Sequence, residues 1–183
     1  SIFAPVDTKP GATVNKLAVD GQVVWLATDD GALRLDAESR GAQRVGMDDG
    51  LPSQAVTAVA IDEQFVWFAT NKGLARLRKL DRTWRVFTDV DGLPHRAVND
   101  VLRVGRQLWV ATRAGLAMYD PGVDGLRAWS TAEGLVGENL AELFQVGEDV
   151  WSLTEAGISR FRPRTRTFTN FSWAELGATE LRA

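Results

Sequence analysis

The hydrophobic and polar positions of the chain alternate over short distances, which predicts β-strands rather than helices. Between Val56 and Val98, four apolar-rich runs follow one another, VTAVAID, FVWFAT, LARLR and TWRVFTD. Val, Ile, Phe, Trp and Thr are frequent in these runs, and these residues favour strands. Short turns separate the runs, and the longer loop DGLPHRA follows them. The pattern predicts a unit of four antiparallel strands.

This unit occurs four times without an insertion or a deletion. A tryptophan recurs at a constant interval, at Trp25, Trp67, Trp109 and Trp151. A glycine follows each of them at the same spacing, at Gly31, Gly73, Gly115 and Gly157. A helical solenoid fits poorly, because the Gly-bearing breaks leave no stretch of roughly 10–12 residues for a helix. Four short strands per repeat are typical of a propeller blade.

We therefore predict an all-β fold, a β-propeller of four-stranded antiparallel blades, as a single domain or a fragment of one over residues 1–183. The expected blades span about 14–55, 56–97, 98–139 and 140–181. Residues 1–13 match the outer strand and loop of a preceding unit. Three assemblies remain open: four blades that close alone, two chains that pair into a ring of eight, and a piece of a longer array.

Two columns of equivalent residues have a predicted structural role. The tryptophan of the second strand should fill the wedge between neighbouring blades, helped by the outer-strand aromatics Phe87, Trp129 and Phe171. The threonine that ends the same strand should hydrogen-bond the turn that follows it. This threonine column consists of Thr28, Thr70, Thr112 and Thr154.

Composition narrows the class of protein. The chain has 183 residues, with 21 Lys and Arg against 24 Asp and Glu, and it has no cysteine. The slight acidic excess without a basic block makes nucleic acid an unexpected partner. No apolar run approaches the roughly 18 residues of a membrane helix, so we expect no membrane insertion in this segment. The absence of cysteine excludes disulfides, thiol catalysis and cysteine-based zinc sites.

The string GLPSQAVTAVAIDEQFVWFATNKGLARL resembles the two-component regulator propeller repeat, and the match extends from about residue 14 to 171. The fourth unit departs from the pattern, with Ser152-Leu153-Thr154 in the second strand and an inverted Leu176-Gly177. The resemblance implies a ligand-sensing ectodomain of a hybrid histidine kinase. Such ectodomains are often carbohydrate-responsive, and the implied location is periplasmic or otherwise extracytoplasmic.

Propellers bind ligands through the loops that lead into the innermost strand and the turns between the second and third strands. We call the former the lead-in loops; here they are residues 48–55, 89–97 and 131–139, with 7–13 and 172–181 as end versions. Polar residues that break the repeat near these loops are our predicted ligand-binding residues. They are His95, Arg96, Lys72, Arg113, Asn99, Asp100, Glu138 and Glu142. The alternative is that these residues are ordinary solvated loop positions or cap loop backbone.

The sequence thus predicts a non-enzymatic propeller that binds a small polar or carbohydrate-like ligand, without a cofactor. The single histidine permits no His-rich metal cluster, and no nucleophile motif accompanies it. The run Asp89-Val90-Asp91-Gly92 hints at calcium, but two carboxylates fall short of a calcium loop and an Asp-Gly turn is favoured. The second hypothesis is a protein-interaction scaffold, with a second copy or further blades as partners.

Overall fold

The computed structural model describes residues 12–177, which form four antiparallel sheets of four strands each. Blade 1 comprises β1 (Val14–Asp20), β2 (Val23–Thr28), β3 (Gly31–Asp36) and β4 (Gly41–Val45). Blade 2 comprises β5 (Val56–Ile61), β6 (Phe65–Thr70), β7 (Gly73–Arg78) and β8 (Trp84–Phe87). Blade 3 comprises β9 (Val98–Val104), β10 (Gln107–Thr112), β11 (Gly115–Asp120) and β12 (Gly125–Trp129). Blade 4 comprises β13 (Leu140–Val146), β14 (Asp149–Thr154), β15 (Gly157–Arg162) and β16 (Thr167–Ser172).

The strands within each sheet pair in chain order, so every blade is a simple meander. This confirms the four-stranded unit that the sequence predicts. Two parts of that prediction lie outside the described residues: residues 1–11 of the expected partial unit over 1–13, and the end of the fourth unit after residue 177. No helix within residues 12–177 has the length and the apolar character that crossing a membrane requires.

The threonine column closes the hairpin between the second and third strands. Thr70 Oγ1 donates to the carbonyl of Gly73 at 2.7 Å and accepts from the backbone N–H of Lys72 at 3.1 Å. Gly73 adopts a φ of 136°, a conformation that side chains disfavour. The same hydroxyl-to-carbonyl bond occurs at Thr28, Thr112 and Thr154. The predicted role of this column is therefore confirmed.

A short 3-10 helix follows the outer strand in three of the blades, and a carboxylate closes it. These helices are Met47–Asp49, Asp89–Asp91 and Thr131–Glu133. In the third, Glu133 Oε2 accepts from both the N–H and the hydroxyl of Ser130, at 2.7 Å each. Such a contact satisfies a backbone donor that the short helix leaves unpaired. It fixes the start of each lead-in loop.

Each innermost strand contains a bulge at the same repeat position. The pairing with the second strand skips one residue, at Asn15, Thr57, Asn99 and Ala141. A bulge re-aims the side chain of the extra residue. Asn15 Nδ2 donates to the carbonyl of Val56 at 2.8 Å, and Asn99 Nδ2 donates to that of Leu140 at 2.7 Å. The bulge thus turns an amide toward the neighbouring blade.

The chain divides into two compact units between Phe87 and Thr88. Unit 1 contains blades 1 and 2, and its core lies in the seam between them. Trp25 is buried there with its ring 5.3 Å from that of Phe68, in an edge-on arrangement. Val45, Val59 and other apolar residues of both blades complete the cluster. The tryptophan therefore fills the wedge, as the sequence predicts.

Unit 2 contains blades 3 and 4, and its core is more aromatic. Trp109 is fully buried, stacks on Trp129 at a centroid distance of 5.6 Å and lies 5.1 Å from Phe161 of blade 4. Leu140 and Leu143 of blade 4 pack into the same cluster. The outer-strand aromatic column joins the second-strand tryptophan here, as expected from the sequence.

Candidate functional site

His95 lies in the lead-in loop of blade 3, where it is exposed and holds the backbone of the turn. Its Nδ1 accepts the N–H of Ala97 at 2.9 Å, so Nε2 carries the proton of the neutral ring. Ser53 occupies the equivalent position in blade 2 and accepts from the N–H of Ala55 at 3.2 Å. The imidazole therefore replaces a serine hydroxyl in the turn and leaves Nε2 as an outward donor.

Arg96 follows His95 and contacts the 3-10 helix at the start of the same loop. Its NH2 group donates to Asp89 Oδ1 at 2.9 Å, with both side chains about half exposed. Glu138 repeats this contact in blade 4, where its Oε1 accepts from the Thr131 hydroxyl at 2.8 Å. The two blades of unit 2 thus present opposite charges at the same place in their lead-in loops.

Arg113 lies in the turn between β10 and β11, which the structure ties to the lead-in loop of the same blade. Its backbone N–H donates to the carbonyl of Ala97 at 3.2 Å, two residues after His95. The exposed side chains of His95, Arg96 and Arg113 therefore lie at one end of blade 3. Lys72 occupies the corresponding turn of blade 2, in unit 1, and is also exposed.

Asn99 and Asp100 are brought to the seam between blades 3 and 4. Asp100 is only 3% exposed, and its Oδ2 accepts the N–H of Leu143 at 3.0 Å. Asn99 Nδ2 donates to the Leu140 carbonyl and contacts Asn139 Oδ1 at 3.2 Å. These contacts are with backbone and loop, which is the alternative role that the sequence left open. Glu142, at the position equivalent to Asp100 in blade 4, is exposed.

Glu155 is not among the predicted ligand-binding residues, although it shapes the lead-in loop of blade 4. Its two carboxylate oxygens accept the N–H groups of Glu138 and Asn139, at 3.1 and 3.0 Å. Asp29 does the same in blade 1, where Oδ1 accepts from the N–H of Thr13 at 2.9 Å. The signal in the sequence is an acid directly after the threonine in these two repeats.

The acidic run in the lead-in loop of blade 3 serves the turn. Asp91 Oδ2 accepts from the N–H of Thr88 at 2.9 Å, and Gly92 follows with a φ of 100°. Asp89 forms an ion pair with Arg96. Within residues 12–177 no three His, Asp or Glu side chains are grouped so that they could hold a metal ion. The contacts agree with an Asp-Gly turn.

Hydrogen bonds to exposed carboxylates lower their pKa values. The Ser130 hydroxyl, and after it the Ser130 N–H, hold the pKa of Glu133 below its usual value of 4.5. The N–H and hydroxyl of Ser172 have the same effect on the pKa of Glu175. Both glutamates are therefore carboxylates at neutral pH, and they keep the lead-in loops closed at their first residues.

No protein-family model matches the chain, and no curated protein matches it. Solved structures do. The extracellular domain of the hybrid two-component system BT3049 from B. thetaiotaomicron superposes with a TM-score of 0.81 and 20% identity, over 90% of this chain and 24% of that one. The extracellular domain of BT4673 from the same organism gives 0.72 and 15%, over 92% and 22%. YCF48 bound to D1 peptide gives 0.63 and 14%, over 93% and 56%.

These likenesses, with the four meander sheets, decide the fold. The chain is a β-propeller. Its neighbours among the two-component systems agree with the resemblance to the two-component regulator propeller family that the repeat indicated. The chain spans about a quarter of the length of those two structures.

The propeller places its predicted site residues in three groups. His95, Arg96 and Arg113 lie together at the loop end of blade 3, and Glu138 lies at the loop end of blade 4 in the same unit. Asn99 and Asp100 join these two blades, and Lys72 belongs to the other unit. Glu142 lies exposed on β13, outside these groups. The loop end of unit 2 thus offers exposed guanidinium, imidazole and carboxylate groups on a backbone fixed by hydrogen bonds.

Proposed function

We propose that this propeller is a non-enzymatic sensory module that binds a small polar or carbohydrate-like ligand at the loop end of its blades. The observation that carries the proposal is the group of His95, Arg96 and Arg113. The Arg113 N–H bond to Ala97 brings these three exposed side chains to one end of blade 3. A rigid frame with variable polar side chains is the usual design of a loop-based binding site.

The chemistry of these groups favours a ligand rich in hydroxyl or carboxylate oxygens. A guanidinium offers several N–H donors in one plane, and His95 adds an outward Nε2 donor. Glu138 on blade 4 supplies an acceptor for ligand hydroxyl groups. Donors on one blade and acceptors on the next suit a sugar, whose hydroxyl groups both donate and accept.

We further propose an extracytoplasmic location and a role in signal transduction as part of a longer protein. This part of the proposal is supported by the two neighbours that are extracellular domains of hybrid two-component systems. Their sequence identity is 20% or lower, so the ligand class is argued from the residues of this chain.

The test is calorimetric titration of the chain with neutral and uronic-acid-containing oligosaccharides. We expect at least one of these probes to bind, and Arg113→Ala to weaken that binding about tenfold or more, since hydrogen bonds to charged groups contribute about 1.5–3 kcal/mol. Arg106→Ala is the matched control, because Arg106 is an exposed arginine in the turn at the other end of the same blade. No binding up to about 1 mM, or equal losses in both variants, would overturn the proposal.

A second variant distinguishes the role of His95 in the turn from its role in ligand binding. His95→Ser keeps a turn acceptor, as Ser53 does in blade 2, and removes the Nε2 donor. We expect an unchanged thermal midpoint together with weaker binding of the same oligosaccharide. A lower midpoint with unchanged affinity would assign His95 to the turn alone and remove it from the proposed site.

The second candidate function is a protein-interaction scaffold. The specific observation in its favour is the set of large apolar side chains that are exposed on β1 and β13, the innermost strands of the first and last blades. Capture of another chain through these strands should be lost when they become charged, whereas oligosaccharide binding should persist. Loss of oligosaccharide binding in such variants would contradict the separation of the two functions.

A further inference from the structure

Blade 4 carries an apolar face that the described residues, 12–177, leave exposed. We call it the front face of blade 4, and it consists of Phe144, Val146, Trp151, Leu153 and Ile158, which line a groove of about 180 Å³. Phe144 is 44% exposed and Val146 is 61% exposed. Contiguous apolar surface of this kind marks an interaction site in a soluble protein.

Blade 1 carries a second open apolar face. We call it the back face of blade 1, and it consists of Leu17, Val19, Val24, Leu26, Leu33 and Leu35. Leu17 is 58% exposed and Val19 is 61% exposed, and the other four side chains are partly exposed. The apolar pattern of these strands is typical of a buried sheet face, yet the structure exposes it.

The seams within the two units show what such faces pack against. The residues in the front face of blade 4 occupy the same repeat positions as the residues of blade 3 that pack on blade 4. Those residues of blade 3 are Leu102, Val104, Trp109, Ala111 and Leu116. The residues in the back face of blade 1 occupy the same repeat positions as the residues of blade 2 that pack on blade 1. Those residues of blade 2 are Val59, Ile61, Val66, Phe68, Ala75 and Leu77. A front face is therefore the side of a blade that packs on the next blade along the chain, and a back face is the side that packs on the previous blade. One open face is of the first kind and the other is of the second.

The sizes of the side chains also match. In both seams the front face has a small residue, Ala27 or Ala111, and the back face has one aromatic residue, Phe68 or Phe161. The front face of blade 4 has Leu153 at the alanine position, which would be too large beside such an aromatic ring. The back face of blade 1 compensates, because both aromatic positions are leucine there, Leu26 and Leu35.

We propose that the front face of blade 4 docks on the back face of blade 1 of a second copy of this chain. Each chain offers one face of each kind, so two copies can satisfy all four faces in a closed dimer. Burial of the exposed apolar side chains supplies the driving force. The inference stands apart from ligand binding at the loop end, because none of its residues belongs to the proposed ligand site. Glu142, which the sequence predicted as a ligand-binding residue, is considered next.

Glu142 has a defined part in this contact. It is the equivalent of Asp100, which accepts the backbone N–H of Leu143 across the seam of unit 2. The residue of blade 1 that is equivalent to Leu143 is Leu17. In the dimer the exposed Glu142 carboxylate therefore reaches the Leu17 region of the second copy, at the start of the back face. This assigns Glu142 to assembly rather than to the ligand.

The test is the mass of the chain in solution by sedimentation over a range of concentrations. We expect a reversible dimer of twice the 20.0 kDa chain. A front-face variant, Phe144→Glu with Val146→Glu, and a back-face variant, Leu17→Glu with Val19→Glu, should each raise the dimer dissociation constant at least tenfold. All four side chains are exposed, so the fold should survive, and circular dichroism checks this.

The decisive experiment mixes the front-face variant with the back-face variant. The front-face variant keeps a native back face, and the back-face variant keeps a native front face, so an equimolar mixture should recover a heterodimer through one native seam. Leu80→Glu is the control and should leave the mass unchanged, because Leu80 is 84% exposed in the outer turn of blade 2 and belongs to neither face.

Three outcomes would overturn the docking of one face on the other. They are a wild-type monomer up to about 1 mM, a dimer that neither variant weakens, and a mixture that stays monomeric. An open-ended series of larger oligomers would also contradict the closed dimer. A dimer that both variants break and their mixture restores would support it.

Discussion

The two compact units share one strand framework but place their carboxylates at opposite ends of the innermost strands. In unit 1 the acids stand at the end of the strand. Asp20 pairs with Lys79 across the seam at 2.6 Å, and Asp62 accepts the indole N–H of Trp67 at 2.7 Å. The Asp20–Lys79 pair is partly exposed to solvent and joins the end of β1 in blade 1 to the turn between β7 and β8 in blade 2.

Unit 2 has valines at these two positions, Val104 and Val146. The indole nitrogen of Trp109 is consequently buried without a hydrogen-bond partner among the described residues. The carboxylate of this unit stands near the start of the strand instead, where Asp100 accepts the Leu143 N–H. The same arrangement of strands thus allows a polar contact at either end of the innermost strand. The position of the carboxylate determines whether that contact is exposed to solvent or buried.

The largest expected difference between the units concerns the glycine after the 3-10 helix. A Cβ at Gly50 would lie 2.5 Å from the Trp84 ring, whereas a Cβ at Gly134 would lie 3.4 Å from Phe168. Both glycines have a positive φ, which costs a side chain about 1–2 kcal/mol. Gly50→Ala should add an overpacking cost of about 1–3 kcal/mol. Urea denaturation of the two variants measures the difference, and equal losses would contradict the tighter packing of unit 1.

Asp100→Ala should have the next largest effect. It leaves the Leu143 N–H without its acceptor in a buried seam, which costs about 1–3 kcal/mol in the free energy of unfolding. Asp100→Asn keeps one oxygen acceptor and should cost less. Hydrogen exchange at Leu143 provides the local measurement. Slow exchange at this amide in Asp100→Ala would show that the bridge does not hold the seam.

Moving the carboxylate at the end of the innermost strand from one unit to the other should transfer the hydrogen bond to the indole. Asp62→Val removes the acceptor of Trp67 and of the N–H groups of Gln64 and Phe65, and should cost about 1–2 kcal/mol. Val104→Asp offers Trp109 an acceptor and should slow the exchange of its indole proton. Unchanged indole exchange in both variants would contradict the comparison.

The smallest expected effect concerns the 3-10 helix cap and its dependence on pH. Unit 1 has Gly46 where unit 2 has Ser130, so Ser130→Ala makes the second cap resemble the first. Because the Ser130 hydroxyl is the main cause of the lowered pKa of Glu133, this pKa should rise toward its usual value. NMR titration of Glu133 measures the shift, and Glu175, held by Ser172, should titrate as before.

The sign of the pH effect follows from the direction of the shift. A carboxylate whose folded pKa is depressed stabilises the fold above its unfolded pKa, and this contribution is lost as the pH falls through the folded pKa. The cap at Glu133 should therefore hold at neutral pH and open in acid below the usual value of 4.5. Opening of this cap as the pH rises above neutrality would contradict the assignment.

The sequence predicts the blades well because their determinants are local. The strand runs and the threonine column depend on residues within one repeat and recur in all four repeats. The tryptophan recurs as well, and the structure packs Trp25 and Trp109 in the seams of their units. The acidic cap was equally visible as a column, since Asp49, Asp91, Glu133 and Glu175 have the same spacing, but its meaning needed the backbone geometry of the 3-10 helix.

The polar contacts of the seam and the site could not be predicted in the same way. Asn99 and Asp100 were expected near a ligand, and their observed partners belong to blade 4, one repeat further along the chain. The bulge that turns Asn99 toward that blade depends on strand register, which a single sequence does not reveal. The link between Arg113 and Ala97 likewise joins two loops that only the folded sheet brings together.

The threonine-closed hairpin has a consequence for how such a protein diversifies. In blade 3 the closure relies on the Thr112 hydroxyl and on backbone groups, so it does not depend on the side chain of Arg113. Sequence change or a randomised library can therefore replace Arg113 while this hairpin is kept, whereas Asp29 and Glu155, at the same position of blades 1 and 4, also hold the lead-in loops. The molecule therefore separates what must be kept from what can be explored, much as an antibody separates its framework from its variable loops.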